Sequence, residues 1–465
     1  MTKKTLLIIA IISMFGFSCS KYVDTPLPQD QLVSELVFTD DKTATAAVTG
    51  VYSNMNSFNY QFANVLMSYL SAMQADDLYY FSAFANYDVF RNNNLLPSSQ
   101  YVSVYWSSLY NYIYQANSCI AGLTDANGLT PSVKDQLLGE SYFQRAFFYF
   151  YLVNMFGDVP LVTNTNYVEN NVKPRDPQEL VYANIISDLK EAKSLMGDDY
   201  PSSSKFRPNK AAATALLARV YLYTKQWSLS EAEATEVLNN SRYTLMNDLN
   251  GVFLGGSAEA IWQLQSINYG GGRNTWEGNV TVPSTPTGNS LFRLDTITLI
   301  PSFQPDDLRL INWTGYRKSA TTGASHYFPY KYKVRFDAVN PVTEHSMVMR
   351  FAEQFLIRAE ARIQQEKLAE GTSDLDAIRI RAAIGALPPS LTKDELLLEV
   401  EKQRRLELFA EWGHRWFDLK RTQRADAILK GRPEKADWQV SDTLYPIPLD
   451  ARSTNPNLTQ NLGYQ

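Results

Sequence analysis

Adjacent acids, scattered histidines and one glycine run are the residues of this 465-residue chain whose types could do chemistry. Asp76-Asp77 and Asp306-Asp307 are the notable carboxylate pairs. Cleaving a glycosidic bond needs two carboxyls facing each other across it, a spacing set by fold and not by adjacency. Neighbouring acids on a regular element point apart, so both pairs read as caps or loop residues. Gly270-Gly271-Gly272-Arg273 offers backbone N–H groups to a phosphate, but it lacks the Gly-Lys-Ser/Thr ending and leads into no helical pattern. It reads as a loop. No Gly-x-Ser-x-Gly elbow occurs, and the sequence holds no catalytic signature. His326, His345 and His414 lie far apart, and Cys19 and Cys119 are the only cysteines, which argues against a metal centre or a disulfide scaffold. Forty-three Lys+Arg stand against 48 Asp+Glu, with no basic run, which excludes the electrostatic footprint of a nucleic-acid binder.

Aromatic rings are the second chemical resource. Asp76-Asp77-Leu78-Tyr79-Tyr80-Phe81-Ser82-Ala83-Phe84-Ala85-Asn86-Tyr87 has no sustained period, yet it is crowded with rings. Tyr269, Trp276, Trp313, Tyr316, Tyr327 and Phe328 lie farther on in a loop-rich stretch. Flat rings on irregular segments, near Asn, Asp and Arg, suit the stacking face and hydroxyls of sugars, or the side chains of a peptide. The competing reading is that they fill a core.

These residues need elements to position them. Lys3 and Lys4 precede an apolar run from Leu6 to Phe17 that ends in Ser18-Cys19. The run is shorter than the roughly twenty residues of a membrane span and has the layout of a secretory signal over residues 1–18. A cysteine at its end suits acylation of Cys19, and several acyl chains anchor a protein stably. Residues 19–37 contain Pro26 and Pro28, show no periodicity, and read as a tether.

Beyond the tether the spacing predicts helices near 40–56, 101–123, 132–156, 177–196, 208–225, 229–240, 350–366, 373–383 and 392–422, mostly as hairpins. In Ala211–Asn239, small residues (Ala211, Ala212, Ala215, Ala218) alternate with Leu216, Leu217 and Tyr221 before a turn at Lys225-Gln226-Trp227. Such small–large complementarity is the signature of tetratricopeptide-like packing. Residues 241–349 instead accumulate Gly, Pro, Asn, Ser and Thr around short strand-like pieces, the mark of a functional surface. The last long helix pairs Glu401 with Arg405, Glu411 with Arg415 and His414 with Asp418 at i,i+4, which predicts a buried, charge-laced helix locking the C-terminal part.

At this point the chain resembles the SusD/RagB family of surface nutrient-binding lipoproteins of Bacteroidetes. The resemblance rests on the Cys19 signal, Phe38-Thr39-Asp40, Trp106-x3-Tyr110-x2-Ile113-x2-Ala116-Asn117 and Glu140-x4-Arg145-Ala146. It continues through Phe156-Gly157-Asp158-Val159-Pro160-Leu161, Arg358-Ala359-Glu360-Ala361, Arg415-Trp416-Phe417-Asp418-Leu419, Pro446-Ile447-Pro448 and Asn455-Pro456-Asn457-Leu458-Thr459-Gln460-Asn461. Leu462 departs from the proline often found there.

The resemblance implies a mostly α, SusD-like fold: four tetratricopeptide-like helix pairs packed against a loop-rich region with short strands. It implies one body over residues 38–465, made of an N-terminal helical part (38–240), a ligand-binding region (241–349) and a C-terminal helical part (350–465). It further implies a non-catalytic, lipid-anchored protein at the cell surface of the outer membrane. Such a protein captures glycan and acts as the extracellular lid of a TonB-dependent, SusC-like transporter, without cofactor or metal. By position, Asp77, Tyr79, Tyr80, Arg91, Trp276, Trp313 and Tyr316 are the expected ligand-binding residues. A lid for peptides, or a lipid-anchored glycoside hydrolase, remains as an alternative.

Overall fold

The computed structural model describes residues 37–58, 61–266, 272–285, 288–318 and 323–464. The expected signal peptide, Cys19 and nearly all of the tether lie outside the described residues, as do Tyr269, Gly270 and Gly271.

The Asp40 carboxylate accepts the N–H groups of Lys42 (2.9 Å) and Thr43 (3.0 Å), starting α1 (Asp41–Asn56) with its Ala44, Val48, Val51 and Met55 face buried. Next come α2 (Phe62–Leu70), α3 (Ser71–Gln74), β1 (Leu78–Tyr80) and α4 (Ala85–Arg91). The helical layer then runs through α5 (Gln100–Asp125), α6 (Pro131–Phe156), the single turn α7 (Tyr167–Asn170), α8 (Gln178–Leu195), α9 (Lys210–Tyr223) and α10 (Trp227–Leu238). In the irregular middle lie β2 (Ala260–Leu264), α11 (Trp276–Thr281), β3 (Phe292–Leu294), α12 (Leu308–Trp313), β4 (Thr314–Lys318), β5 (Ser325–Pro329) and β6 (Ser346–Arg350). The chain returns to helix in α13 (Phe351–Gln364), α14 (Leu368–Arg381), α15 (Lys393–Leu408), α16 (His414–Arg421), α17 (Ala425–Leu429) and α18 (Leu449–Thr454).

Each long helix packs on the next in the order α5, α6, α8, α9, α10, α13, α14, with α15 laid on α13 and α14. α9, and α6 from Leu137 onward, are buried on nearly every side. The hairpins α9/α10 and α13/α14 turn in the same way. Gln226 N–H donates to the Tyr221 carbonyl (2.8 Å) with Lys225 at φ +58°, and Lys367 N–H donates to Arg362 (3.0 Å) with Glu366 at φ +63°. Gly371 lets α14 press on α13, since a Cβ there would meet Ile363 Cγ1 at 2.5 Å. The small–large alternation thus does what the sequence predicted for it.

Strands β2 and β6 pair antiparallel, so the irregular excursion leaves and re-enters through one small ladder. β1 pairs with β3 and β4 with β5, both antiparallel, and β5 packs against β3. Buried ion pairs fasten this region to the C-terminal helices. Arg350 Nη1 donates to Glu407 Oε1 (2.6 Å), Arg350 Nε to Glu411 Oε2 (2.9 Å) and Lys331 Nζ to Glu411 Oε1 (2.5 Å).

One helix differs from expectation. Residues 392–422 are not continuous but break between Leu408 and His414, with Ala410, Trp412 and Gly413 at φ +56°, +44° and +72°. Buried Lys331 takes the carbonyls of Glu407 (2.8 Å) and Phe409 (2.9 Å), which stand where helical N–H partners would be needed. The i,i+4 pairs therefore give way to tertiary ones. Arg405 goes to Asp76 and Asp77, Glu411 to Lys331 and Arg350, and Asp418 to Arg404 (2.7 Å), beside a local i,i+3 pair with Arg421 (2.8 Å). The segment is still buried and charge-laced. Cys119 is a buried free thiol, and burial pushes its pKa up to about 12.

Candidate functional site

The four short strands β1, β3, β5 and β4 form a strip on which most of the expected rings meet. In β1, Tyr79 lies opposite Arg293 and Tyr80 opposite Phe292. Tyr80 turns into a knot of edge-packed rings, with centroids 4.8 Å from Tyr87, 4.9 Å from Phe81 and 5.3 Å from Phe292. Phe81 and Phe84 cap that knot and remain 39 % and 42 % exposed. A ring left that open gives up burial that a core position would secure. On the neighbouring hairpin, Tyr316 pairs with Tyr327 across β4 and β5, their rings 5.1 Å apart and edge-on. Tyr316 is 50 % exposed, and its hydroxyl donates to Ser325 Oγ (2.6 Å), which fixes the ring's direction. The hairpin is held to β3 by the N–H of Ser290 donating to His326 Nε2 (3.4 Å).

Beside the strip, Tyr79 lines a polar cavity of about 210 Å³ with Asp76, Arg91, Asp295, Ile297, Arg432 and Glu434. The Arg91 guanidinium lies 5.6 Å from the Tyr79 ring centre. Arg432 crosses the cavity wall, reaching Glu434 (2.6 Å), Asp295 (3.3 Å) and Asp76 (3.8 Å). Burial alone would raise the Asp76 carboxyl, but the guanidiniums of Arg405 and Arg415 outweigh it and hold its pKa well below the usual range. Each carboxylate lining the cavity is thus paired to a guanidinium. Beneath the floor, the buried Lys435 ammonium gathers the carbonyls of Met73 (3.1 Å), Gln74 (2.8 Å) and Arg91 (2.6 Å) and the Asn93 side-chain oxygen (2.5 Å). That cross-tie sets the end of α4 against the end of α3.

Of the residues expected to bind ligand, Tyr79 and Arg91 meet at the cavity, Tyr80 packs into the ring knot, and Tyr316 lies on the separate β4–β5 hairpin. Asp77 does not reach the surface. It is wholly buried, and its Oδ1 accepts from Arg405 Nε (2.8 Å), so it fixes Arg405 instead of meeting a ligand hydroxyl. Trp313 is likewise wholly buried, its Nε1 donating to the Leu249 carbonyl (2.9 Å), and a ring with no open face cannot stack on a sugar. Trp276 stands apart at the start of α11. The Arg273 guanidinium covers its ring at 3.6 Å, and its Nε1 donates to Asn56 (3.3 Å). Sequence reading passed over Phe81 and Phe84 as individual site residues, although both sit in the aperiodic ring cluster that was the right signal. It also passed over Arg432 and Glu434, which carry no local signal because they reach the cavity from the far end of the chain.

Two family profiles match the chain. One, described as starch-binding associating with outer membrane, spans residues 22–222, and one for the SusD family spans residues 301–464. SusD-like protein P2 of Formosa agariphila is 26 % identical over 98 % of both chains. Starch-binding protein SusD of Bacteroides thetaiotaomicron is 26 % identical over 79 % of this chain and 80 % of its own. Among solved structures, a SusD superfamily protein from Bacteroides vulgatus superposes with a TM-score of 0.81 at 21 % identity, covering 92 % of this chain and 100 % of that one. A laminarin-binding SusD-like protein superposes at 0.77 with 25 % identity and covers 92 % of this chain and 100 % of its own. Helical stack, strand strip and both profiles agree, and the chain belongs to the SusD/RagB family.

Proposed function

We propose that the protein captures glycan at the cell surface and hands it to a TonB-dependent, SusC-like outer-membrane transporter, over which it acts as a lid. The exposed rings of Phe81 and Phe84 around β1, with Tyr316 on the β4–β5 hairpin and the polar Tyr79–Arg91 cavity, are the observation that carries this reading. Rings stack on the apolar faces of pyranoses, and Arg91, Thr296 and the cavity carboxylates take their hydroxyls. Likeness to a laminarin-binding protein and to a starch-binding protein supports a glycan over a peptide.

Isothermal calorimetry against starch, laminarin and other oligosaccharides tests the site. Heat with at least one of them, and none of them cut on prolonged incubation, is the expected result. Heat with peptides alone overturns the glycan reading, and released product overturns the binding-only reading. The anchor is proposed at Cys19. Cys19→Ala should move the protein out of the membrane fraction, and a mature N-terminus without lipid by mass spectrometry would remove the anchor from the reading.

A further inference from the structure

The helical layer carries a second ring-lined groove that shares no lining residue with the cavity beside Tyr79. Trp106, Tyr110 and Tyr114 stand at i, i+4 and i+8 on α5, so they climb one face in steps of about 6 Å. All three line a groove of about 500 Å³, together with Tyr167 of α7. The lower two rungs are fixed in place. The Trp106 and Tyr110 centroids are 4.9 Å apart, Phe156 abuts Trp106 edge-on at 5.0 Å, and the Tyr110 hydroxyl donates to the Pro160 carbonyl (2.9 Å). The upper rings are open: Tyr114 is 50 % and Tyr167 71 % exposed. Packing gives no reason for leaving two tyrosines in water at the mouth of a groove.

The groove's polar groups narrow the ligand. Exposed Ser107 and the Asp450 carboxylate line it together with the amides of Asn170, Asn171 and Asn455, while no Lys or Arg is among its described lining residues. Acceptors next to rings, without a cation to pair an anion, suit a neutral polyhydroxylated chain. Trp106 is buried and forms the base of the groove, so the open rings of Tyr114 and Tyr167 are the ones a pyranose can meet.

We propose that this groove is a second saccharide subsite, in which two or three consecutive units of a neutral glycan lie along α5. They stack on Tyr114 and Tyr167, and Ser107 and Asp450 accept their hydroxyl hydrogen bonds. The proposal rests on the reading of the protein as a glycan-capture protein. Two shallow sites on one polymer reinforce each other through effective concentration, so the helical layer would retain a long glycan while the strand strip lets go of one segment and takes up the next.

The test is calorimetric stoichiometry on the full chain, with a laminarin oligosaccharide, a maltooligosaccharide and the two parent polymers as probes. The variants are Tyr114→Ala/Tyr167→Ala and Phe84→Ala/Tyr316→Ala, all at exposed positions where truncation leaves folding intact. Two sites per chain are expected, one lost in each double variant, with a loss of at least about tenfold in polymer affinity from either. A single site, removed by Phe84→Ala/Tyr316→Ala and untouched by Tyr114→Ala/Tyr167→Ala, overturns the subsite and leaves glycan capture standing. A Tyr114→Ala/Tyr167→Ala variant that alters only co-purification with an outer-membrane transporter makes the groove a protein interface and also overturns it. No heat from the wild-type chain with any of the four probes overturns the subsite together with the reading it rests on.

Discussion

Arg415 Nε donates to Asp76 Oδ1 at 2.9 Å, joining residues 339 positions apart and locking α16 to the root of β1. Arg405 completes the clasp, at 3.0 Å from Asp76 and 2.8 Å from Asp77. Removing one partner of a buried pair strands the other charge and costs about 3–5 kcal/mol. Arg415→Ala should therefore lower the denaturant midpoint by an amount of that order, a large part of a typical domain's 5–15 kcal/mol. Urea unfolding followed by tryptophan fluorescence measures it, and a midpoint within error of wild type would show that the clasp does not hold the fold.

Phe84 and Tyr316 carry the opposite expectation. Both are about half exposed, so Phe84→Ala and Tyr316→Ala should each cost no more than about 1 kcal/mol of stability. Each should weaken glycan binding by about two- to tenfold, the worth of one ring stack. Calorimetry beside a thermal melt separates the two effects. Lost stability with unchanged affinity would mark these rings as structural.

Glu277 gives the fold a pH signature. Burial pushes its pKa up to about 7, against the Ser346 hydroxyl, which donates to its Oε2 at 3.0 Å. A carboxyl raised in the folded state binds its proton more tightly there than in the unfolded chain. Its stabilising contribution is therefore complete below about pH 4.5 and is lost as pH rises through about 7. Glu277→Gln keeps the shape without the charge. It should gain stability over wild type at pH 8, on the order of 3 kcal/mol, and little at pH 5. Melting both proteins across that range checks the sign, and an equal gain at both pH values would exclude titration of Glu277 as the cause.

Lys225 sits at φ +58° in the α9/α10 turn, a left-handed conformation that costs a side-chain-bearing residue about 1–2 kcal/mol. Glycine loses more backbone freedom on folding, which offsets part of that. Lys225→Gly should still stabilise by roughly 0.5–1 kcal/mol, read as a rise in melting temperature. A lower melting temperature would mean that the lysine side chain contributes to the turn.

The helices were legible because their evidence is local. The Asp40 cap, the Thr392–Glu395 capping box and the alanine-rich face of α9 each lie within a few residues. The break after Leu408 was not, because Phe409, Ala410, Glu411 and Trp412 all continue a helical pattern and only Gly413 hints at an end. What stops the helix is Lys331, nearly eighty residues earlier. The site divides in the same way. Tyr79, Tyr80, Arg91 and Tyr316 were marked by rings and charges on aperiodic chain, whereas Trp313 has the same local look and is buried. Whether a ring faces water or protein depends on which segments fold over it, and no local pattern records that.

The cavity beside Tyr79 draws its walls from residues 73–91, from 295–297 and from 432 and 434. A chain leaving the ribosome or crossing a membrane from its N-terminus has most of the helical stack available long before Arg432 and Glu434 emerge. Local helix pairs can close early, because contacts near in sequence form quickly, while this wall waits on a contact between residues 76 and 432. This cavity is therefore completed only late in the chain's emergence. A chain cut after residue 431 would retain most of its helical hairpins and lack Arg432 and Glu434, and with them one wall of the pocket.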